Sequence, residues 1–125
     1  FLIGQMMVVG EKKKFVSALI VPGAEALKSW CDEHEIPCTL TDHPHNPTLK
    51  IVSKETLTNP KVIEEYQRII GEFNPEFSKI EQIKAFRLLS EPWDVSTNEL
   101  TPTMKLKRRV IMEKFEKVIN EIYDV

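Results

Sequence analysis

The chain has no long hydrophobic run, few glycines and few cysteines, and each scarcity excludes a class of protein. Its longest apolar run, around residues 18–21, is far shorter than the roughly 20 residues that cross a bilayer. Four glycines leave no glycine-rich phosphate loop. Two cysteines and no secretory leader indicate a reducing compartment, so we expect a cytoplasmic protein.

An excess of charge of one sign is also missing. The 17 basic and 19 acidic residues give a net charge of −2, with a pI near 6.0. Such a balance exerts no overall attraction for nucleic acid or anionic membranes, so any basic site must be local. With 125 residues, 42% of them hydrophobic, the chain is long enough for one domain with a real core.

The first half of the chain predicts a hairpin, a helix and a long loop. Apolar residues at 5–9 and 15–21 flank a charged turn at 10–14, which is typical of an antiparallel hairpin. Neither strand alternates cleanly, and this predicts a sheet that is covered on both faces for part of its length. The apolar spacing over 24–35 predicts an amphipathic helix, and three prolines within 37–50 predict a loop.

The second half predicts two more helices, a strand and a final helix. Asn59-Pro60 is a helix start, and its apolar stripe ends near residue 72. Asn74-Pro75 repeats this signal for a short helix that carries Phe77 and Ile80, and 83–89 is typical of a strand. We expect Thr101 to cap a final helix that continues to Ile122. The prediction is an α+β fold with about three strands (the N-terminal hairpin plus a later strand) and about four helices.

A basic cluster falls at the predicted start of the last helix. Lys105, Lys107, Arg108 and Arg109 would occupy its first two turns, where the positive pole of the helix disfavours cations by about 0.3–1 kcal/mol each. One interpretation is a solvated basic face. The other is a site for a phosphate or carboxylate. Composition alone leaves both open.

The motif around this cluster resembles the final signature of the adenylate-forming enzymes, in the form used by long-chain fatty acyl-CoA ligases. The signature is residues 99–111, ELTPTMKLKRRVI. Residues 5–10 (QMMVVG) and 15–22 (FVSALIVP) resemble the first strands after the interdomain hinge of that family. Residues 59–62 (NPKV) and 80–86 (IEQIKAF) resemble a later helix start and strand. The resemblance covers nearly the whole chain apart from the 37–50 loop.

The resemblance implies roles for the basic residues. Lys105 matches the lysine that contacts the fatty acid carboxylate and the α-phosphate region of ATP during adenylation. Many members have glycine where this chain has Met104, so Lys107 is the alternative position. Lys107, Arg108 and Arg109 would be phosphate-steering or interdomain contacts. The implied cofactors of the full enzyme are ATP, Mg²⁺ and CoA.

The resemblance also implies that residues 1–125 are the mobile C-terminal domain, without the hinge and the large N-terminal adenylation domain. The start at Phe1 is interpreted as the edge of a longer polypeptide. The fragment alone is expected to be inactive and to bind no cofactor tightly. Its partners would be the missing domain and a long-chain fatty acid. Weak self-association through the uncovered interdomain face is a further expectation. Whether the parent enzyme lies at the membrane surface is left open by the sequence.

Two alternatives come from the residues themselves. Cys31, His34, Cys38, His43 and His45 cluster within fifteen residues, but their spacing matches no closed zinc pattern. Cys31 also belongs to an apolar helix stripe, so no metal site is predicted. The basic cluster would suit a small interaction or nucleic-acid-binding module. The acidic pI, the single cluster and the absence of an aromatic ladder argue against nucleic acid.

Overall fold

The computed structural model describes residues 2–124 and contains five strands and five α-helices in that range. In chain order these elements are β1 (Ile3–Val9), β2 (Val16–Pro22), α1 (Ala24–Glu33), β3 (Leu40–Asp42), β4 (Lys50–Val52), α2 (Lys54–Leu57), α3 (Pro60–Phe73), β5 (Ile83–Leu88), α4 (Arg108–Lys114) and α5 (Glu116–Tyr123). The α+β class is confirmed.

The main sheet has the strand order β1-β2-β5. β1 and β2 form the predicted antiparallel hairpin, with Met7 opposite Leu19. β5 lies parallel to the other edge of β2, with Phe86 opposite Ala18. A parallel pair needs a long crossover, and the segment that contains α1 to α3 supplies it. The prediction of an N-terminal hairpin plus a later strand is confirmed.

The sheet is covered on both faces, which explains why its central strand does not alternate between apolar and polar residues. On one face, α1 and α3 pack on Ala18 and Ile20. On the other face, α4 and α5 pack on Leu19 and Val21. The buried side chains that α4 and α5 contribute to this second core are Ile111, Ile119 and Ile122.

The final helix does not begin at Thr101, and this prediction was wrong. Residues 99–107 form a short hairpin, in which Leu100 pairs with Leu106. This pairing uses backbone groups that a helix starting at Thr101 would have bonded within itself. Helix α4 begins only at Arg108, and the backbone leaves helical values at Phe115, where α5 follows. Lys105 and Lys107 therefore precede the helix, while Arg108 and Arg109 open it.

Two other segments differ from expectation. The predicted 37–50 loop contributes β3, which pairs with β4 in a second, two-stranded sheet. The helix expected after Asn74-Pro75 is a single 3₁₀ turn that ends at Glu76. Its physical cause is the Asn74 side chain, which accepts from Ile83 N at 2.9 Å and donates to Ile83 O at 3.0 Å. These bonds direct the chain into β5 and leave Ile80 exposed.

The two tryptophans have different environments. Trp30 is half-buried against the first core and stacks on His34, with ring centroids 4.2 Å apart. Trp93, in the polar loop before the signature, is only 1% exposed. Across residues 2–124, no helix combines the length and apolar character that crossing a membrane requires.

Candidate functional site

Residues 99–107 of the signature fold as a small hairpin that projects Lys105 near its tip, directly after the turn. Lys107 N donates to Glu99 O at 2.8 Å at the base of the hairpin. Nearer the tip, Thr101 N donates to Lys105 O at 2.8 Å. A short two-stranded hairpin is marginally stable by itself in water. Its position therefore depends on contacts at its base.

The turn that precedes Lys105 is closed by backbone and hydroxyl hydrogen bonds. Met104 N donates to Thr101 O at 2.8 Å, and Lys105 N donates to the Thr101 hydroxyl at 3.1 Å. Met104 has a left-handed backbone with φ of 66°. This is the position of a three-residue hairpin turn where glycine is favoured. The glycine that many members of the resembled family carry would therefore suit the same backbone shape.

Lys105 differs from its neighbours because its side chain is exposed and its Nζ has no bonding partner within residues 2–124. Arg109 is also exposed, at 93% of its side chain, but its Nε lies 3.5 Å from Glu113 Oε1 one helical turn later. Such an exposed pair contributes little to stability. Lys105 thus offers one unpaired ammonium on a flexible four-carbon side chain.

Lys107 and Arg108 are bonded within the fold. Lys107 Nζ donates to Asn98 Oδ1, beside the hairpin base. Arg108 Nη2 donates to the carbonyl oxygen of Val8 on β1. These two cations connect the signature to the rest of the domain. The four basic residues therefore differ in their environments and do not form a uniformly solvated basic face.

The base of the hairpin is organised by the buried carboxylate of Glu99. Its Oε1 accepts from Asp94 N at 3.1 Å and from the Thr97 hydroxyl, and its Oε2 accepts from Lys114 Nζ at 2.8 Å. Burial by itself would raise the pKa of Glu99, but the bonds from Lys114, Thr97 and Asp94 outweigh it and lower the pKa. The carboxylate is therefore ionised at neutral pH.

The loop before the hairpin is joined to β1 by two hydrogen bonds between the side-chain amide of Gln5 and the main chain of Trp93. Gln5 Oε1 accepts from Trp93 N at 2.7 Å, and Gln5 Nε2 donates to Trp93 O at 2.9 Å. The indole of Trp93 is buried in the second core beside Phe115. Sequence reasoning missed Gln5, Glu99 and Lys114, because their burial and pairing depend on contacts between distant segments.

The cysteine and histidine cluster does not gather into a site. Within residues 2–124, no group of three or more potential metal-binding side chains is assembled. His45 N donates to His43 Nδ1 at 3.1 Å, so that nitrogen serves the loop backbone. Cys31 is buried in the first core and Cys38 packs against it. Burial, and then the neighbouring Cys38 thiol, raise the pKa of Cys31 to about 12.

Comparison with solved structures defines the class of fold. The adenylation domain of a carboxylate reductase from Mycobacterium chelonae matches 99% of this chain, with a TM-score of 0.62 and 19% identity. The A-PCP didomain of a carboxylic acid reductase from Segniliparus rugosus, solved in complex with AMP, matches 98% with a TM-score of 0.60 and 17% identity. The chain covers 16% and 14% of those chains, respectively. The fold is thus one found within adenylation domains.

Sequence comparison identifies the particular branch. The chain is 35% identical over 123 residues to the long-chain-fatty-acid–CoA ligase FadD15 of Mycobacterium tuberculosis. It is 31% identical over 124 residues to the human long-chain-fatty-acid–CoA ligase 6. Both matches include 98% of this chain but only 19% and 16% of the relatives' lengths. A scan against protein-family models found no match. The chain is homologous to the C-terminal region of long-chain fatty acid–CoA ligases.

Proposed function

We propose that residues 1–125 are the mobile C-terminal domain of an AMP-forming long-chain fatty acid–CoA ligase, in which Lys105 serves adenylation. The complete enzyme would convert ATP, a fatty acid and CoA into acyl-CoA, AMP and pyrophosphate through an acyl adenylate. The observation that supports this role is the unpaired ammonium of Lys105 at the exposed hairpin tip, within a chain whose homologues are such ligases.

The proposed chemistry requires positive charge where negative charge develops. A fatty acid carboxylate oxygen attacks the α-phosphorus of ATP, and the bond from that phosphorus to pyrophosphate breaks. An ammonium beside the phosphorus stabilises the charge that accumulates on its oxygens. Lys105 suits this task because a point charge on a long side chain can follow a moving anion. Its hairpin would deliver it into a site that another domain builds.

The other components belong to the complete enzyme. Mg²⁺ would neutralise phosphate charge when bound to the complete enzyme. ATP and CoA would likewise bind to the assembled enzyme. The isolated chain is therefore expected to be inactive and to bind both ligands weakly.

The neighbouring cations receive different proposed roles. Because Lys107 and Arg108 bond to Asn98 and Val8, we assign them to holding the signature in place. Arg109 is the better candidate for a phosphate or interdomain contact, since within residues 2–124 its one ion partner is the exposed Glu113. This distribution of bonds favours Lys105 over Lys107 as the adenylation lysine.

The surface near the hairpin suits contact with another domain. Met104 is 62% exposed and Leu106 is 39% exposed, and both flank Lys105. We propose that the N-terminal adenylation domain covers these apolar side chains during adenylation. Weak self-association of the isolated chain through the same side chains would follow, and light scattering at high concentration tests it. A monomer at all concentrations would contradict that part.

The test is a comparison of Lys105→Ala with Lys107→Ala in the complete ligase. Pyrophosphate release with ATP and palmitate measures adenylation, and thioester formation from preformed palmitoyl adenylate measures the second step. Lys105→Ala is expected to slow adenylation by about 10²–10³-fold, as for loss of one group that stabilises developing charge, while the thioester step is largely spared. Normal adenylation in this variant would refute the proposal. A defect in Lys107→Ala alone would transfer the role to Lys107.

A further inference from the structure

We infer that Glu99 is a positioning residue for Lys105, a role that it shares with its ion-pair partner Lys114. This inference rests on the proposed function of Lys105. Glu99 is only 6% exposed, and its main chain and side chain serve different parts of the site. Its carbonyl oxygen accepts from Lys107 N and so closes the hairpin. Its carboxylate binds the loop before the hairpin and the helix after it.

The Glu99–Lys114 ion pair connects the start of the hairpin to the end of the helix that follows it. Lys114, fifteen residues after Glu99, is the last residue of α4. Its Nζ reaches Glu99 Oε2 at 2.8 Å and also donates to Thr97 O. Helix α4 follows the hairpin directly, so the Glu99–Lys114 pair fixes both ends of the segment that carries Lys105. Without this pair, the hairpin would be held at its base by the buried Leu100, by main-chain bonds and by the side-chain bonds of Lys107 and Arg108.

The carboxylate is matched to three donors. Asp94 N, the Thr97 hydroxyl and Lys114 Nζ all donate to it, and an ionised carboxylate accepts from all of them. An amide in the same place has one oxygen and two N–H donors. In Glu99→Gln, the NH₂ group would therefore face at least one donor. That mismatch should loosen the 94–99 turn while it preserves the size of the side chain.

The consequence for the reaction is a less precise position of the Lys105 ammonium. A shift of about 1 Å in a group that meets the transition state can lower a rate by about 10²-fold. We expect Glu99→Gln and Lys114→Met to slow adenylation about ten- to hundredfold. The thioester step from preformed palmitoyl adenylate should change less than about twofold, because Lys105 does not serve it.

The experiment combines these variants in the complete ligase with Lys105→Ala and with a matched control. The control is Lys117→Met, which removes an exposed lysine from α5 that has no ion partner in the described part of the chain. Adenylation and thioester formation are measured as above. Tryptic cleavage after Lys105 and Lys107 in the folded enzyme reports opening of the hairpin. Glu99→Gln and Lys114→Met should accelerate this cleavage, and Lys117→Met should not.

Combined variants separate this inference from the proposed function. If Glu99 acts through Lys105, adding Glu99→Gln to Lys105→Ala should cause no further loss of adenylation beyond about twofold. A full additional loss, or unchanged adenylation in Glu99→Gln while Lys105→Ala is inactive, would overturn the positioning role alone. Normal adenylation in Lys105→Ala would instead overturn the proposed function. Equal losses in adenylation and thioester formation would indicate a general structural defect and also overturn the inference.

Discussion

Replacing Met104 with glycine should stabilise the chain, because the residue occupies a backbone shape that side chains disfavour. Its φ is 66°, and the left-handed conformation costs an L-residue about 1–2 kcal/mol. Glycine avoids this cost but gives the unfolded chain more freedom, which offsets about 0.4–1 kcal/mol. Because Met104 is 62% exposed, little apolar burial is lost. The net expectation is a gain of about 0.5–1 kcal/mol in the free energy of unfolding.

Urea unfolding of the chain, followed by tryptophan fluorescence, measures this gain. With a slope of about 1–3 kcal/mol/M, the midpoint should rise by a few tenths of a molar, at an unchanged slope. Met104→Ala is the matched control, because alanine removes the same distal atoms but keeps the Cβ that causes the crowding. Equal midpoints for Met104→Gly and Met104→Ala would refute the reasoning that the left-handed turn is strained.

Two further predictions concern titration and thiol reactivity. The lowered pKa of Glu99 means that its ionised form stabilises the fold above the ordinary pKa of 4.5, and that this contribution is lost as the pH falls through the folded-state pKa. The difference in unfolding free energy between the chain and Glu99→Gln should therefore shrink as the pH is lowered from about 6 to about 3, and a constant difference would contradict this. Because the pKa of Cys31 is raised to about 12, iodoacetamide at pH 8 should modify Cys38 much faster than Cys31 in the folded chain. Peptide mass spectrometry measures both rates, and equal rates would show that Cys31 is not protected.

The elements that the sequence predicted best are those with a strong periodic pattern and a local start signal. The hairpin strands and α3 were found to within a few residues, because apolar spacing and the Asn59-Pro60 cap act within one segment. Thr101-Pro102 has the same local form as Asn59-Pro60. It does not start a helix here, because the chain pairs Leu100 with Leu106 and buries Leu100 in the second core.

The candidate site also has a part that the sequence predicted and a part that depends on contacts between distant segments. The motif of residues 99–111 was sufficient to single out Lys105 and its basic neighbours, since residue type and order are properties of the sequence. The sequence does not show that Lys107, Arg108 and Arg109 have bonding partners within the fold. Nor does it show that Lys105 has none within residues 2–124. Arg108 bonds to Val8, a hundred residues earlier in the chain, and no local pattern predicts such a partner.

By itself, the sequence determined the class of fold, the three-stranded sheet and the motif that carries Lys105, because these depend on composition, periodicity and residue order. Only the tertiary structure decided that residues 99–107 of the motif form a hairpin rather than a helix, and that an ion pair between the buried Glu99 carboxylate and the exposed Lys114 holds it. The physical reason is that packing and hydrogen bonding between distant segments outweigh local helix signals of about 1 kcal/mol each.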